Sequence, residues 1–192
     1  MIDMVLCGLG GQGILFMTKV LAQAAMDKGF EVMGAETHGM AQRGGSVVSH
    51  LRIGDVRSSL VRTGSAQFLL ALEENEGYRN LPFLSKGGAM FVNAEPDQFP
   101  QSEVKAFLAE NDVRHHAMPV GKIAQEQKAP RSANLALLGF FSAFDGFVVS
   151  ADELRETLNR ISPEPFRKSN LDVFDTCRDA TISGLQFNIQ GR

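Results

Sequence analysis

The chain has 192 residues, of which 44% are hydrophobic and 21% charged, so one globular domain with a sizeable core is expected. Its net charge of −3, from 19 basic and 22 acidic side chains, gives no support to nucleic-acid binding, which needs a basic face. The apolar runs are shorter than a membrane span requires, and the first residues lack the features of a secretory leader. We therefore expect a cytoplasmic protein.

Two cysteines, Cys7 and Cys177, lie far apart in the sequence, and no CxxC motif occurs. Structural zinc and iron–sulfur sites need more cysteine or histidine ligands at close spacing. The chain alone is therefore expected to hold no metal site, and both thiols are expected to be buried.

The first three elements predict a β–α–β unit. A short apolar run over residues 2–7 indicates a buried strand, residues 14–28 form a helix that Gly29 ends, and residues 30–35 indicate a second strand. Such a unit is typical of two parallel, paired strands joined by a right-handed crossover.

A β-hairpin is predicted after the second strand. Residues 46–53 and 56–61 both favour strands, and the intervening Gly54 and Asp55 favour a turn. A dinucleotide-binding fold would place a helix at this point, so the hairpin is an insert into that pattern.

Strands and helices alternate through the rest of the chain. We therefore predict a single Rossmann-like, three-layer α/β domain over residues 1–192, with a mainly parallel sheet and the hairpin insert after the second strand. Three acidic residues, Glu73, Glu74 and Glu76, are expected to begin a solvated helical turn. Further strands are predicted at 68–72, 89–93 and 113–118, and helices at 102–110, 120–127, 133–144, 151–161 and 170–181.

The segment GLGGQG, residues 8–13, follows the first strand and opens the first helix, as a GxGxxG motif does in nucleotide-binding folds. Glycines allow a tight turn and a close backbone approach, and the helix N-terminus offers free N–H groups to a phosphate or carboxylate. The candidate ligand loop comprises Gly8, Gly10, Gly11, Gln12 and Gly13.

Several interpretations of this loop stay open from the residues alone. Glu36, at the end of the second strand, stands where an NAD-binding protein places its ribose-binding acid, which favours a free-standing dehydrogenase. The predicted hairpin argues against a dehydrogenase, because each mononucleotide-binding half of a dinucleotide-binding fold has the element order βαβαβ. The loop is also compatible with a nucleotide-binding interaction module, or with a turn that binds no ligand.

A second glycine-rich segment, HGMAQRGGSVVSH, spans residues 38–50. Gln42 and Arg43 supply directional hydrogen-bond donors, and the arginine fork suits a carboxylate or phosphate. Gly44 and Gly45 let the backbone run close to another surface. This loop should meet GLGGQG at the carboxyl edge of the sheet, where ligand crevices gather. We therefore predict a polar, glycine-lined mouth that contacts a ligand or another subunit.

Four stretches carry a resemblance to a known family. GLGGQGILFMTKVLAQAA and ETHGMAQRGGSVVSHLRIG resemble the gamma subunit, or gamma domain, of the 2-oxoacid:ferredoxin oxidoreductases. That family includes enzymes of pyruvate, 2-oxoglutarate, ketoisovalerate and indolepyruvate. SANLALLGFF resembles a helix of the family, with Asn134 and Gly139 on its pattern, and residues 170–174 resemble its closing Asn-and-Phe helix.

The resemblance implies a subunit of an oxidoreductase complex that decarboxylates a 2-oxoacid, transfers the acyl group to coenzyme A and reduces ferredoxin. Alpha and beta subunits would bind thiamine diphosphate with Mg²⁺, and a ferredoxin-like delta subunit would carry [4Fe-4S] clusters. This chain would bind no cofactor alone and would be inactive in isolation, where a homodimer is possible. No catalytic residue is assigned to it.

The remaining polar candidates have two interpretations each. His38 and His50 flank the second glycine segment and are either catalytic or, the interpretation we favour, structural. His115 and His116 alternate across a strand, so they cannot both face one metal ion. Asn134 is either a helix cap or a ligand or subunit contact.

Overall fold

Six strands form one sheet in this computed structural model, which describes residues 1–39 and 44–190. The strands are β1 (Ile2–Leu9), β2 (Val32–His38), β3 (Ser46–Ile53), β4 (Ala66–Ala71), β5 (Leu84–Asn93) and β6 (Arg114–Met118). The helices are α1 (Ile14–Asp27), α2 (Glu74–Asn80), α3 (Ser102–Glu110), α4 (Val120–Glu126), α5 (Ala133–Ser142), α6 (Ala151–Ile161) and α7 (Glu164–Gln190).

The sheet has the order β2-β3-β1-β4-β5-β6, and β1, β4, β5 and β6 pair in parallel. The predicted α/β class with a mainly parallel sheet is therefore confirmed. The predicted parallel pairing of the first two strands is wrong, because β3 lies between β1 and β2 and is antiparallel to both. The two strands run in the same direction but share no hydrogen bonds.

The hairpin is also differently built from the prediction. Its two strands are β2 and β3, joined by the second glycine segment, and residues 56–61 form no strand. Side chains of β3 hold that stretch instead: Arg52 donates to the Ser58 carbonyl at 3.1 Å, and His50 Nδ1 accepts from the Val61 amide at 3.3 Å. VRSSLV therefore alternates like a strand but is an irregular segment, held against β3 by these side-chain hydrogen bonds.

Alternating side chains of β1 supply two cores, one on each face of the sheet. Met4 and Leu6 join the core beneath α1, α5 and α7, whereas Val5 and Cys7 join the core beneath α3, which contributes Leu108. Period-two alternation between two apolar faces requires helices on both sides of the strand. The expected three-layer architecture is confirmed.

Helices α5 and α7 approach each other so closely that their backbones touch. A Cβ added to Gly139 of α5 would lie 2.1 Å from the Phe174 carbonyl oxygen of α7. Helix α7 begins earlier and ends later than the predicted 170–181, with Pro165 in its first turn, where proline is tolerated. Gly139 and Phe174, two of the residues that carry the family resemblance, therefore lie where α5 packs against α7.

A buried ion pair fixes β3 against β1 at the edge opposite the glycine segments. Arg52 Nε donates to Asp3 Oδ1 at 2.8 Å, and both side chains are buried. The second carboxylate oxygen of Asp3 accepts from Ser65 Oγ at 3.0 Å, which further satisfies the buried charge. Composition and periodicity gave no sign of this pair.

Candidate functional site

The two glycine segments meet at one edge of the sheet, as predicted. GLGGQG connects β1 to α1, and the second segment connects β2 to β3. The Gly10 amide donates a 2.8 Å hydrogen bond to the Gly45 carbonyl, and a Cβ on Gly10 would lie 3.5 Å from the Gly44 nitrogen. We call residues 8–13, together with Gly39, Gly44 and Gly45 of the second turn, the glycine mouth. Gln42 and Arg43 lie outside the described residues, so their predicted contacts stay a prediction.

Gln12 is committed to the turn that contains it. Its Oε1 accepts from the Leu9 amide at 2.7 Å, and its Nε2 donates to Glu73 Oε1 at 2.5 Å. The side chain therefore braces the first turn from inside. Any ligand at this turn would meet backbone groups of Gly10 and Gly11 more readily than the Gln12 amide.

Gly13 needs to be glycine for two independent reasons. Its φ of 78° is in the left-handed region, which side chains disfavour. A Cβ at this position would also lie 2.6 Å from Asn134 Nδ2. The first turn is therefore closed by contact with α5 as well as by its own backbone.

Asn134 joins α5 to the first glycine turn. Its Nδ2 donates to the Gly13 carbonyl at 3.0 Å, and that carbonyl also accepts from the Met17 amide at 3.1 Å. Asn134 is 3% exposed, and its Oδ1 has no hydrogen-bond partner among the described residues. It lies inside α5, whose N-cap is Ser132, so it is not the cap. A buried acceptor without a partner calls for an explanation such as a water, ion or ligand.

A cavity of about 240 Å³ opens beside Asn134, where the first turn meets α5 and α7. Its wall combines the apolar rings of Phe16 and Phe166 with the polar side chains of Arg131 and Asn170. Asn170 is held by a 2.8 Å hydrogen bond that its Oδ1 accepts from Ser132 Oγ. The cavity thus lies against the glycine mouth and offers both an apolar and a cationic surface.

The acids that follow β4 are the residues that sequence reasoning misjudged. Glu76 is 3% exposed rather than solvated, and it accepts a 2.6 Å hydrogen bond from Ser46 Oγ at the end of the second glycine turn. Glu73 contacts the first turn through Gln12. A single sequence gives no sign of these tertiary contacts. Acidic residues are also favourable in the first turn of a helix, and the pattern predicts only that role.

Two histidine side chains, those of His50 and His116, are held by packing. His50 is buried on β3, its ring meets the Phe83 ring edge-on at 5.1 Å, and burial lowers its pKa. Burial, with Arg114 nearby, lowers the pKa of His116 to about 4. Both imidazoles are therefore neutral near pH 7, and the structural interpretation holds for His50. The side chain of His38 lies outside the described residues.

The two thiols are poor nucleophiles and poor metal ligands. Burial raises the pKa of Cys7 well above its ordinary value, with Glu76 adding to the effect, and burial raises the pKa of Cys177 to about 12. Thiolate is the reactive and ligating form, so burial suppresses both roles. Among the side chains that the structure describes, no three histidine, cysteine or carboxylate groups converge on a common metal position.

Glu36 lies too far from the first turn for the role an NAD-binding acid would need. It pairs with Ser49 of β3, and Ser49 pairs in turn with Leu6 of β1. A whole strand therefore separates the acid from the strand that carries GLGGQG, about 10 Å at two inter-strand spacings. The inserted β3 removes the strand order on which the dinucleotide interpretation depends.

Comparison with protein families shows the family to which this chain belongs. The family described as "Pyruvate ferredoxin/flavodoxin oxidoreductase" matches residues 3–180. The chain belongs to this pyruvate ferredoxin/flavodoxin oxidoreductase family. The match takes in β1 through most of α7, and therefore both glycine turns, α5 and the cavity wall.

Individual members of the pyruvate ferredoxin/flavodoxin oxidoreductase family are similar over nearly their full length. The "Indolepyruvate oxidoreductase subunit IorB" of Pyrococcus horikoshii is 33% identical, covering 90% of this chain and 92% of that protein. The "2-oxoglutarate synthase subunit KorC" of Methanothermobacter thermautotrophicus is 25% identical, covering 93% and 94%. Relatives of this chain are thus subunits of oxidoreductases that act on 2-oxoacids.

A solved structure shares the fold. The keto/oxoacid ferredoxin oxidoreductase gamma subunit from Geobacter sulfurreducens superposes with a TM-score of 0.74 at 23% identity, covering 95% of this chain and 99% of that one. None of the helices in the described residues is both long enough and apolar enough to cross a bilayer.

Proposed function

We propose that this chain is the gamma subunit of a 2-oxoacid:ferredoxin oxidoreductase, which converts a 2-oxoacid to an acyl-coenzyme A and reduces ferredoxin. The observation that carries the proposal is the family match over residues 3–180, which takes in both glycine segments and most of the chain. The proposal places the protein in the cytoplasm, as part of a complex.

In this proposal the redox chemistry belongs to other subunits. Alpha and beta subunits bind thiamine diphosphate and Mg²⁺, and a ferredoxin-like delta subunit carries the [4Fe-4S] clusters. The cysteine inventory supports this division, because a [4Fe-4S] cluster takes four cysteine thiolates and this chain has two cysteines. Those two are buried in different elements, β1 and α7, with raised pKa values. The residues present do not fit a cluster.

An aryl-substituted 2-oxoacid is the substrate we propose to test first. Four relatives that are 31–34% identical to this chain bear the name indolepyruvate oxidoreductase subunit. Those named for 2-oxoglutarate are 24–25% identical. The higher identity favours indolepyruvate over 2-oxoglutarate, although the pocket for the acid is expected on the thiamine-binding subunits.

The glycine mouth is the surface through which we propose that this subunit works. It docks a partner subunit near the active site or contacts coenzyme A as that co-substrate enters. Three features support the proposal: the backbone-lined turns, the unpartnered acceptor of Asn134, and the adjoining cavity with Arg131 on its wall. Arginine and a helix N-terminus both suit the phosphates or carboxylates that such a contact would bring.

Co-expression with the neighbouring genes tests the function. The purified complex should contain thiamine-binding and ferredoxin-like chains, and it should oxidise indolepyruvate with coenzyme A in a panel that includes pyruvate, 2-oxoglutarate and a branched-chain 2-oxoacid. The isolated chain should be inactive. Purification of this chain without such partners, together with a dehydrogenase activity of its own, would contradict the proposal.

Substitution of Arg43 tests the mouth. Arg43→Ala should reduce assembly or turnover, because a bidentate donor is lost from the second glycine turn. The matched control is Arg57→Ala, an exposed arginine beyond the far end of β3, which should leave both unchanged. Full assembly and turnover in Arg43→Ala would refute the role of this turn.

Thermal shifts separate this function from its rival, a free-standing NAD-dependent dehydrogenase. A ligand present at about 100 times its dissociation constant should stabilise the chain by about 2.7 kcal/mol. Coenzyme A is the expected stabiliser of the complex, and NAD, NADP and FAD are expected to have no effect. Strong stabilisation by NAD would favour the rival.

A further inference from the structure

Helix α2 brings two carboxylates to the two halves of the glycine mouth. Glu73, the residue that precedes the helix, accepts a 2.5 Å hydrogen bond from Gln12 Nε2 in the first turn. Glu76, three residues later, accepts a 2.6 Å hydrogen bond from Ser46 Oγ at the start of β3. Glu73 precedes α2 and Glu76 lies in its first turn, so the N-terminal end of α2 contacts both turns.

Each carboxylate holds a side chain or backbone group that closes its turn. Gln12 spans the first turn, since its Oε1 accepts from the Leu9 amide at 2.7 Å. Ser46 closes the second, since its carbonyl accepts from the Gly39 amide at 2.7 Å. The Gly10–Gly45 hydrogen bond then couples the two turns to each other. The two carboxylates therefore contact the glycine mouth from the side on which α2 lies.

The burial of Glu76 is hard to explain by fold stability alone. A buried carboxylate is unfavourable unless its oxygens are paired, and packed apolar residues of similar volume often serve a core as well or better. Glu76 is 3% exposed, and its two oxygens are taken by Ser46 Oγ and by Arg79 Nη1, the latter at 2.6 Å. The Arg79 side chain is largely exposed, so Ser46 is the partner of Glu76 on its buried side.

We propose that Glu73 and Glu76 are positioning residues that set the relative placement of the two glycine turns, Glu73 through Gln12 and Glu76 through Ser46. The use of the mouth for docking or for coenzyme A rests on the proposed function, whereas the positioning role rests on the contacts of α2. The two can therefore fail separately.

Hydrogen exchange on the full-length chain tests the positioning role. Glu73→Ala should speed amide exchange about tenfold in the peptide 8–13, and Glu76→Ala should do so for the Gly39 amide in the peptide that contains it, because each variant loses a charge-assisted hydrogen bond. Glu74→Ala is the matched control, since Glu74 bonds to Tyr78 Oη at 2.6 Å and to neither turn. It should leave both peptides unchanged.

The conservative variants separate positioning from general stability. Ser46→Thr keeps the hydroxyl and should show wild-type exchange at the Gly39 amide, and Glu76→Gln keeps a neutral acceptor and should restore it in part, whereas Ser46→Ala should reproduce Glu76→Ala. Faster exchange spread evenly over the sheet, including β5, or equal effects of Glu74→Ala, would overturn the inference. If exchange changes only in the turns while the complex assembles and turns over normally, the positioning role stands and the proposed function of the mouth fails.

Discussion

The two ends of the sheet are built on different principles. Strands β4 and β5 pair in parallel and are largely buried, and Phe91 on β5 is 1% exposed. At the other end β2 is an edge strand held by β3 alone, and Met33 on it is 38% exposed. The first glycine turn follows the buried strand β1, and the second connects the exposed edge strand β2 to β3. A rigid scaffold therefore carries one half of the mouth, and an edge hairpin presents the other half to it.

The largest expected contrast between these two ends is in stability. Phe91→Ala should lower the free energy of unfolding by about 4 kcal/mol, because the ring packs edge-on against Phe140, Phe141 and Phe144 and leaves a cavity when removed. Met33→Ala should cost about 0.5 kcal/mol or less. Urea unfolding of both variants measures the difference, and comparable losses would show that the two ends are not distinct.

Close helix packing behind the parallel end should be the next most sensitive feature. Gly139→Ala should destabilise by about 3 kcal/mol, since its Cβ would meet the Phe174 carbonyl and α5 would have to move from α7. Gly184→Ala in α7, where nothing lies within 4 Å, should stabilise by about 0.5–1 kcal/mol. Thermal unfolding of the pair checks this, and a tolerated Gly139→Ala would refute the close approach.

A smaller effect is expected from pH at the β6 edge of the parallel end. Burial, with Arg114 nearby, holds the pKa of His116 at about 4, below its ordinary value of 6.5. Stability from the neutral imidazole is thus complete above pH 6.5 and is lost as pH falls toward 4, since only the unfolded chain takes up the proton there.

Unfolding curves between pH 7 and pH 4 measure this contribution. Wild type should lose about 1–2 kcal/mol more than His116→Gln over that range, a discounted figure because the imidazole is partly solvated. His50 is present in both proteins, so its own lowered pKa cancels in the comparison. Parallel pH curves for the two proteins would show that His116 is not the group involved.

The smallest effect is expected on the exposed hairpin. Glu36→Ala on β2 should change the free energy of unfolding by about 0.5 kcal/mol or less, because the side chain is exposed. It should also leave the response to NAD unchanged, since a strand separates it from the first turn. An NAD-induced thermal shift in wild type that disappears in Glu36→Ala would restore the dinucleotide interpretation.

Local patterns predicted most elements, and the errors trace to long-range pairing. The strand and helix at the start of the chain and the glycine turn between them followed from apolar periodicity and glycine placement. The position of β3 did not, because periodicity marks a strand without naming its neighbours. VRSSLV alternates like a strand, yet side chains of Arg52 and His50 bind its backbone and leave it irregular.

The meeting of the two turns was predicted from the sequence, whereas most of the contacts around them were not. Convergence of the two turns followed from the rule that the carboxyl ends of parallel strands share one edge, although β3 begins rather than ends there. The contacts of Asn134 with Gly13 and of Glu76 with Ser46 span 121 and 30 residues. Contacts of that separation leave no mark on a single sequence, so both roles needed the folded chain.

Photo-crosslinking from the glycine mouth is the most direct test of its role as a surface completed by another subunit. A benzoylphenylalanine placed at Leu15, 43% exposed just after the first turn, should crosslink to a partner chain in the purified complex. The same group at Lys86, exposed near the start of β5 on the opposite edge, should not. Crosslinks from position 86 and none from position 15 in an intact complex would contradict the account.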